Sequence, residues 1–217
     1  MTVRRRDLLP AALGAAYLAF ALTFRGPRQR FWQRMTGTGL ALGTLAVAAD
    51  PGLRATKPRG RDVALGLAAA GGLYAVFRIG DRAARRLMPK GGQEIDAIYE
   101  LRQLRPTAEL AARLAFVIGP AEELFWRGFV QRRLSRRAGN WPGAALTAAA
   151  YGGAHVVTGN LTLVGAAGVA GTYWSVLAAA GMPMAALIVS HVAWDVWIFL
   201  VAPTTPPPFP SNREEKR

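Results

Sequence analysis

Cysteine is absent from the 217-residue chain, and histidine occurs only twice. The first absence excludes disulfides and thiolate metal sites, and it leaves the redox compartment unread. The second limits imidazole chemistry to His155 and His191. Charge is sparse as well, at 18% of residues against about 25% in ordinary soluble domains. Acids are the scarcer sign, with 13 Asp+Glu against 27 Lys+Arg. There is no helical His-Glu-x-x-His pair, no internal repeat and no nucleic-acid-binding motif.

What fills the chain instead is apolar sequence. Hydrophobic residues make up 52%, and charge is concentrated between long apolar stretches. That distribution belongs to an integral membrane protein. The formal net charge of +14 fits the same reading. Its arginines flank the apolar runs: Arg4, Arg5 and Arg6; Arg25, Arg28, Arg30 and Arg34; Arg132, Arg133, Arg136 and Arg137. Such placement favours lipid headgroups over nucleic acid. Arginine greatly outnumbers lysine, which fits a GC-rich bacterial genome and a multi-pass protein of a bacterial inner membrane. Basic loops occur throughout the early chain and are missing late, so the positive-inside rule leaves the topology open.

Read in order, an apolar run from Leu8 to Phe24 is a retained first helix, too long for a signal core and without a cleavage site. Runs from Met35 to Ala49 and from Val63 to Phe77 are short for a ~30 Å hydrocarbon core. Residues 78–105 form the most polar internal stretch. Ile95, Ile98, Leu101 and Leu104 recur there at helical spacing, which predicts an interfacial amphipathic helix or a plain connecting one. Pro106 opens a long helix reaching about Arg137. Between Trp141 and Val201 the sole formally charged side chain is Asp195, and Gly159-Asn160 and Gly181-Met182-Pro183 divide the tract into three helices. The expectation is an all-α polytopic bundle of about six to eight transmembrane helices. Residues 1–90 hold N-terminal membrane helices with basic loops, and 203–217 form a disordered tail.

Several ionisable residues stand where lipid should exclude them: Glu122, Glu123 and Arg127 together, then His155, then His191 and Asp195. Inserting one such residue at a helix centre costs about 2.5–3.5 kcal/mol. Interhelical hydrogen bonds return only ~0.6 kcal/mol on average. A structural polar cluster is therefore a poor explanation of the set, and a functional site is the better one. Glu123 and Arg127 are i and i+4, an ion-pair spacing, whereas Glu122 points about 100° away. One glutamate is neutralised and the other is left as a base facing the histidines. Glutamate with histidine suits water activation. His191 and Asp195 also share a helix face, and that pair could steady an oxyanion. Two histidines with a carboxylate are also compatible with zinc, so no cofactor is certain.

The same residues carry a resemblance. Glu122-Glu123 with Arg127, then Tyr151 with His155, then His191 with Asp195 resembles the CAAX-protease and bacteriocin-processing family, which includes the type II CAAX prenyl endopeptidases. The resemblance implies a catalytic helix bundle over residues 91–202 and an intramembrane endopeptidase acting on a membrane-associated peptide or protein. It implies Glu122 as the water-activating base aided by His155, with His191 and Asp195 as the oxyanion site. It also attaches the word metalloprotease, although a metal-free glutamate mechanism is often preferred for its CAAX branch. Tyr151 stands where Phe is commoner, and Asp195 where Asn is common. A carboxylate donates to an oxyanion only when protonated, so Asp195 either stays neutral or orients His191. The competing readings are a non-catalytic scaffold or bacteriocin-immunity protein, and a proton-coupled transporter using Glu122, His155 and His191 as a relay.

Overall fold

The computed structural model describes residues 8–55 and 58–204. Arg4, Arg5 and Arg6 lie outside the described residues, and so does the tail beyond Thr204. Eight helices and no strand are found among the described residues. They are α1 (Leu9–Phe24), α2 (Phe31–Ala49), α3 (Gly60–Leu87), α4 (Gly91–Tyr99), α5 (residues 107–138), α6 (Asn140–Ala154), α7 (Leu161–Ala179) and α8 (Met184–Val201). Helices α3, α7 and α8 are each long and apolar enough to cross a membrane, and α1 is a shorter apolar helix.

Two boundaries differ from the sequence expectation. Helix α2 starts at Phe31 rather than Met35, because Trp32 is buried and its indole N–H donates to Leu101 O at 2.8 Å. Helix α3 does not end at Phe77 but runs on to Leu87. Its last turns are helical despite their charge, with Arg85 paired to Asp81 at 3.0 Å. The polar stretch 78–105 is thus three pieces: the end of α3, the short α4, and a tight turn over Glu100–Leu104. Pro89 makes the first break. The residue before a proline is pushed out of helical space, and Met88 sits at φ −105°, ψ 125°.

Helix α5 is the axis of the molecule. Its segment 121–131 is buried on all sides except Leu124, between α2, α6, α7 and α8. The helix is not regular: Leu114–Ile118 and Leu124–Gln131 are wound as wider π turns on either side of Gly119–Glu123. Gly119 N–H donates back to Leu114 O, and Pro120 supplies no N–H of its own. The helix is also held at close range. A Cβ on Gly43 of α2 would lie 3.0 Å from the Ala121 methyl, so α2 presses on the turn that carries both glutamates. Helix α5 ends at Gly139, whose φ of +92° only glycine adopts easily.

The main core cluster draws on both halves of the chain. Phe20 of α1, Trp32 and Leu42 of α2, Phe125, Trp126 and Phe129 of α5, and Tyr151 of α6 are all in it. A smaller cluster of Leu73, Ala170, Trp174 and Leu187 joins α3, α7 and α8.

Helix α4 grips the start of α7. Glu94 Oε2 accepts from the Thr162 hydroxyl at 2.6 Å and from the Thr162 backbone N–H at 2.8 Å. Asn160 completes the cap through Leu163 N–H at 2.7 Å and donates to Glu94 O at 2.9 Å. The Thr162 hydroxyl, then its backbone N–H, holds the Glu94 carboxyl below its ordinary value. A carboxyl lowered in the folded state stabilises the fold above its unfolded value of about 4.3, and that contribution disappears as pH falls through the lowered value. Glu94→Gln should therefore flatten the acid side of the stability curve below about pH 4.5, with little effect at pH 7 beyond a constant offset. Thermal unfolding of both proteins across pH 3–7 measures this, and parallel curves would refute it.

Candidate active site

Helices α5, α6, α7 and α8 bring the ionisable residues into one buried cluster. Glu122, Glu123, Arg127, His155 and His191 are each at most 6% exposed. Arg127 Nη1 donates to Glu123 Oε1 at 2.9 Å, within one helix at the i,i+4 spacing. Its Nη2 donates to Gly171 O of α7 at 3.0 Å. The guanidinium lies over the rings of Tyr151 and Trp174, at 5.0 and 5.4 Å. A side chain held by a carboxylate, a carbonyl and two aromatic faces has little freedom left.

His191 is partnered by Glu123 rather than by Glu122. Its Nδ1 donates to Glu123 Oε1 at 2.8 Å. Its Nε2 faces Asp195 Oδ2 at a looser 3.4 Å, from the next turn of α8. A neutral imidazole donates from one nitrogen only, and here both face carboxylates. With Nδ1 donating to Glu123, Nε2 can donate toward Asp195 only when the ring carries both protons. The ring plane is fixed by Trp174, stacked at 4.0 Å, whose N–H donates to Ser190 Oγ at 3.1 Å.

Glu122 faces away from that network. Its Oε2 accepts the Tyr151 hydroxyl of α6 at 2.8 Å, and its other oxygen makes no hydrogen bond among the described residues. His155 stands one turn beyond Tyr151, just past the end of α6. Its Nδ1 lies 2.9 Å from Tyr151 O. A carbonyl can only accept, so Nδ1 carries the proton and Nε2 is left with its lone pair. Phe20 and Phe24 of α1 close against the imidazole, with centroids 5.1 and 5.6 Å away. Glu122 and His155 share no direct hydrogen bond among the described residues; Tyr151 links them through its hydroxyl and its carbonyl.

Three partners were not evident from sequence alone. Tyr151 counted only as a mild replacement of Phe, yet its hydroxyl holds Glu122. Its i,i+4 spacing to His155 was the available signal. Trp174, and Phe20 of α1, carry no such signal, since apolar helices are full of residues like them.

Metal is a poor fit to these groups. Among the described residues no group of three His, Asp or Glu side chains is arranged to hold an ion. Both nitrogens of His191 face carboxylates and Nδ1 of His155 faces a carbonyl, so His155 Nε2 is the one imidazole nitrogen left for a ligand. A zinc site with three or four protein ligands does not form from that set.

Residues 106–197 match a family model described as Type II CAAX prenyl endopeptidase Rce1-like. No curated protein and no solved structure matches the chain. The matched segment leaves α1–α4 outside it and contains every residue of the buried cluster that α5, α6, α7 and α8 supply. Over residues 106–197 this membrane protein is therefore similar to the type II CAAX prenyl endopeptidase family.

Proposed function

We propose that the protein is a multi-pass intramembrane endopeptidase in which Glu122 activates water against a peptide bond of a membrane-associated substrate. The observation that carries this reading is the inequality of the two glutamates. Among the described residues each glutamate has one held oxygen and one without a partner, but Glu123 Oε1 takes two donors, one of them the Arg127 guanidinium, and its Oε2 is sealed in the interior, whereas Glu122 is held by the neutral Tyr151 hydroxyl alone. A base must be positioned and not already neutralised by a cation, and of the two glutamates Glu122 is the one without the Arg127 pairing.

The roles follow from the hydrogen bonds. Glu122 takes a proton from water as the water oxygen bonds to the scissile carbonyl carbon. His155 Nε2, a bare acceptor, helps to orient that water. With the ring doubly protonated, His191 Nε2, loosely held at 3.4 Å, is the donor that a developing oxyanion would meet. Glu122 then passes its proton to the leaving amine as the C–N bond breaks. Arg127 and Glu123 act through His191, by fixing its ring.

The test is cleavage of lipid-anchored reporter peptides by the purified chain in liposomes, with Asp195 as the probe. If Asp195 positions His191 or supplies a donor, Asn serves in its place: an amide accepts from or donates to Nε2. Asp195→Asn should keep most activity, while Asp195→Ala should lose about 10²–10³-fold. A folded Asp195→Asn as inactive as Asp195→Ala would show that the negative charge itself is required. Absence of any cleavage, alongside proton-driven flux in the same liposomes, would replace the hydrolase with a transporter.

A further inference from the structure

An open, arginine-lined cavity of about 280 Å³ lies at the far end of α5 from His155, walled by α5, the start of α6 and the end of α7. Its size is near the lower end of ligand pockets, about 300 Å³. Three arginines line it, Arg127, Arg132 and Arg136, and no acidic residue does. Ser135 and Asn140 add neutral donors, and Ala178 and Ala179 leave one wall small and apolar.

Two unmatched polar atoms belong to the buried residues of its inner wall. Arg127 is 1% exposed and Gln131 3% exposed, and both line it. Arg127 Nε and Gln131 Oε1 are buried without a partner. The remaining polar atoms of these two side chains are spent on Glu123, Gly171 and Ser175. Leaving such atoms unsatisfied costs about 1–3 kcal/mol each, so a site of this kind calls for an occupant. That occupant needs an acceptor for the Arg127 N–H and a donor for the Gln131 oxygen.

The mouth has a different character. Arg132 and Arg136 are exposed there, and Arg132 is paired with Asp50 at 3.1 Å. Arg136 makes no hydrogen bond or ion pair among the described residues. The next residue past Asn140 is Trp141, 60% exposed at the start of α6. Arginines beside an exposed tryptophan at helix ends mark the headgroup layer of a bilayer.

We infer that this cavity binds the phosphoglycerol headgroup of an anionic phospholipid, its phosphate between Arg132 and Arg136 and its glycerol hydroxyls reaching Gln131 and Arg127. The hydroxyls supply both the donor and the acceptor that the inner atoms lack. An ethanolamine headgroup would bring an ammonium beside the exposed Arg132 and Arg136. The site is separate from the proposed hydrolysis and stands whether or not the chain cleaves peptides.

The experiment uses the full chain in detergent, with retained lipid read by native mass spectrometry. The probes are phosphatidylglycerol, phosphatidic acid, phosphatidylcholine, glycerol 3-phosphate and inorganic phosphate. Phosphatidylglycerol should be retained in preference to all four. Arg136→Gln should weaken its retention about tenfold or more, the scale of a lost charge-assisted bond. Arg136 is exposed and unpartnered, so the variant should fold, and Asn140→Ala gives a second exposed probe with a smaller loss. Arg78→Gln, an exposed arginine of α3 away from the cavity, should change nothing. Wild-type retention by Arg136→Gln would overturn the site. Equal binding of inorganic phosphate would overturn the lipid source, and equal retention of phosphatidic acid would overturn the role given to the hydroxyls.

Discussion

Glu122→Gln should leave the protein folded and reduce cleavage by about 10²–10⁴-fold, the usual contribution of a general base. The substitution is nearly isosteric. Its amide oxygen still accepts the Tyr151 hydroxyl that now bonds Glu122 at 2.8 Å, so packing against α6 should survive. What disappears is the proton acceptor on the uncommitted side. Rates must be compared at matched folded protein, since a loss of yield would imitate a loss of catalysis. Glu123→Gln makes the informative contrast. It weakens an ion pair with Arg127 and a contact with His191, so its first effect should be on stability. A fully active Glu122→Gln would end the base assignment and leave the cluster without a water-activating group.

Arg127→Ala carries the largest expected effect on stability, about 3–5 kcal/mol of destabilisation. Removing the guanidinium strands Glu123, which has no solvent exposure, and also frees Gly171 O. The penalty comes from the uncompensated charge more than from the lost bond. Combining Glu123→Gln with Arg127→Met removes both charges and should recover much of the loss, even if it does not restore cleavage. Thermal unfolding and yield from membranes measure all three proteins. If Arg127→Ala unfolds at the wild-type temperature, the pair does not hold the cluster together.

These expectations rest on features of unequal legibility. The Glu123–Arg127 pair follows from a four-residue spacing within one helix, and helical geometry alone brings such residues together. The boundaries between α6, α7 and α8 were equally plain, because Gly159-Asn160 and Gly181 with Pro183 each break a helix for a local reason. Contacts between helices were not legible. Nothing in the order of residues says that Tyr151 meets Glu122, that Trp174 stacks on His191, or that Phe20 closes on His155. The extension of α3 was misjudged for another reason. Charged residues at 78–87 read as an exit from the helix, whereas Asp81 and Arg85 support it. The π turns of α5 were hidden too, since periodicity assumes one winding throughout.

The placement of the ion pair within a single helix bears on how the chain is made. Synthesis runs from the N-terminus, so α5 reaches the membrane before α7 and α8 exist. Gly171, His191 and Asp195 are then still unmade, and none of them can shelter a charge on α5. Glu123 and Arg127 need no such help, because each is the other's partner one turn along the same helix. On a membrane-inserted α5 those two charges would already be matched, and Glu122 would be the one left over between Gly119 and Gln131. Had the arginine been carried by α7 instead, insertion would have had to carry two separated acidic charges until a later helix arrived. Order of synthesis and order of assembly are reconciled by a spacing of four residues.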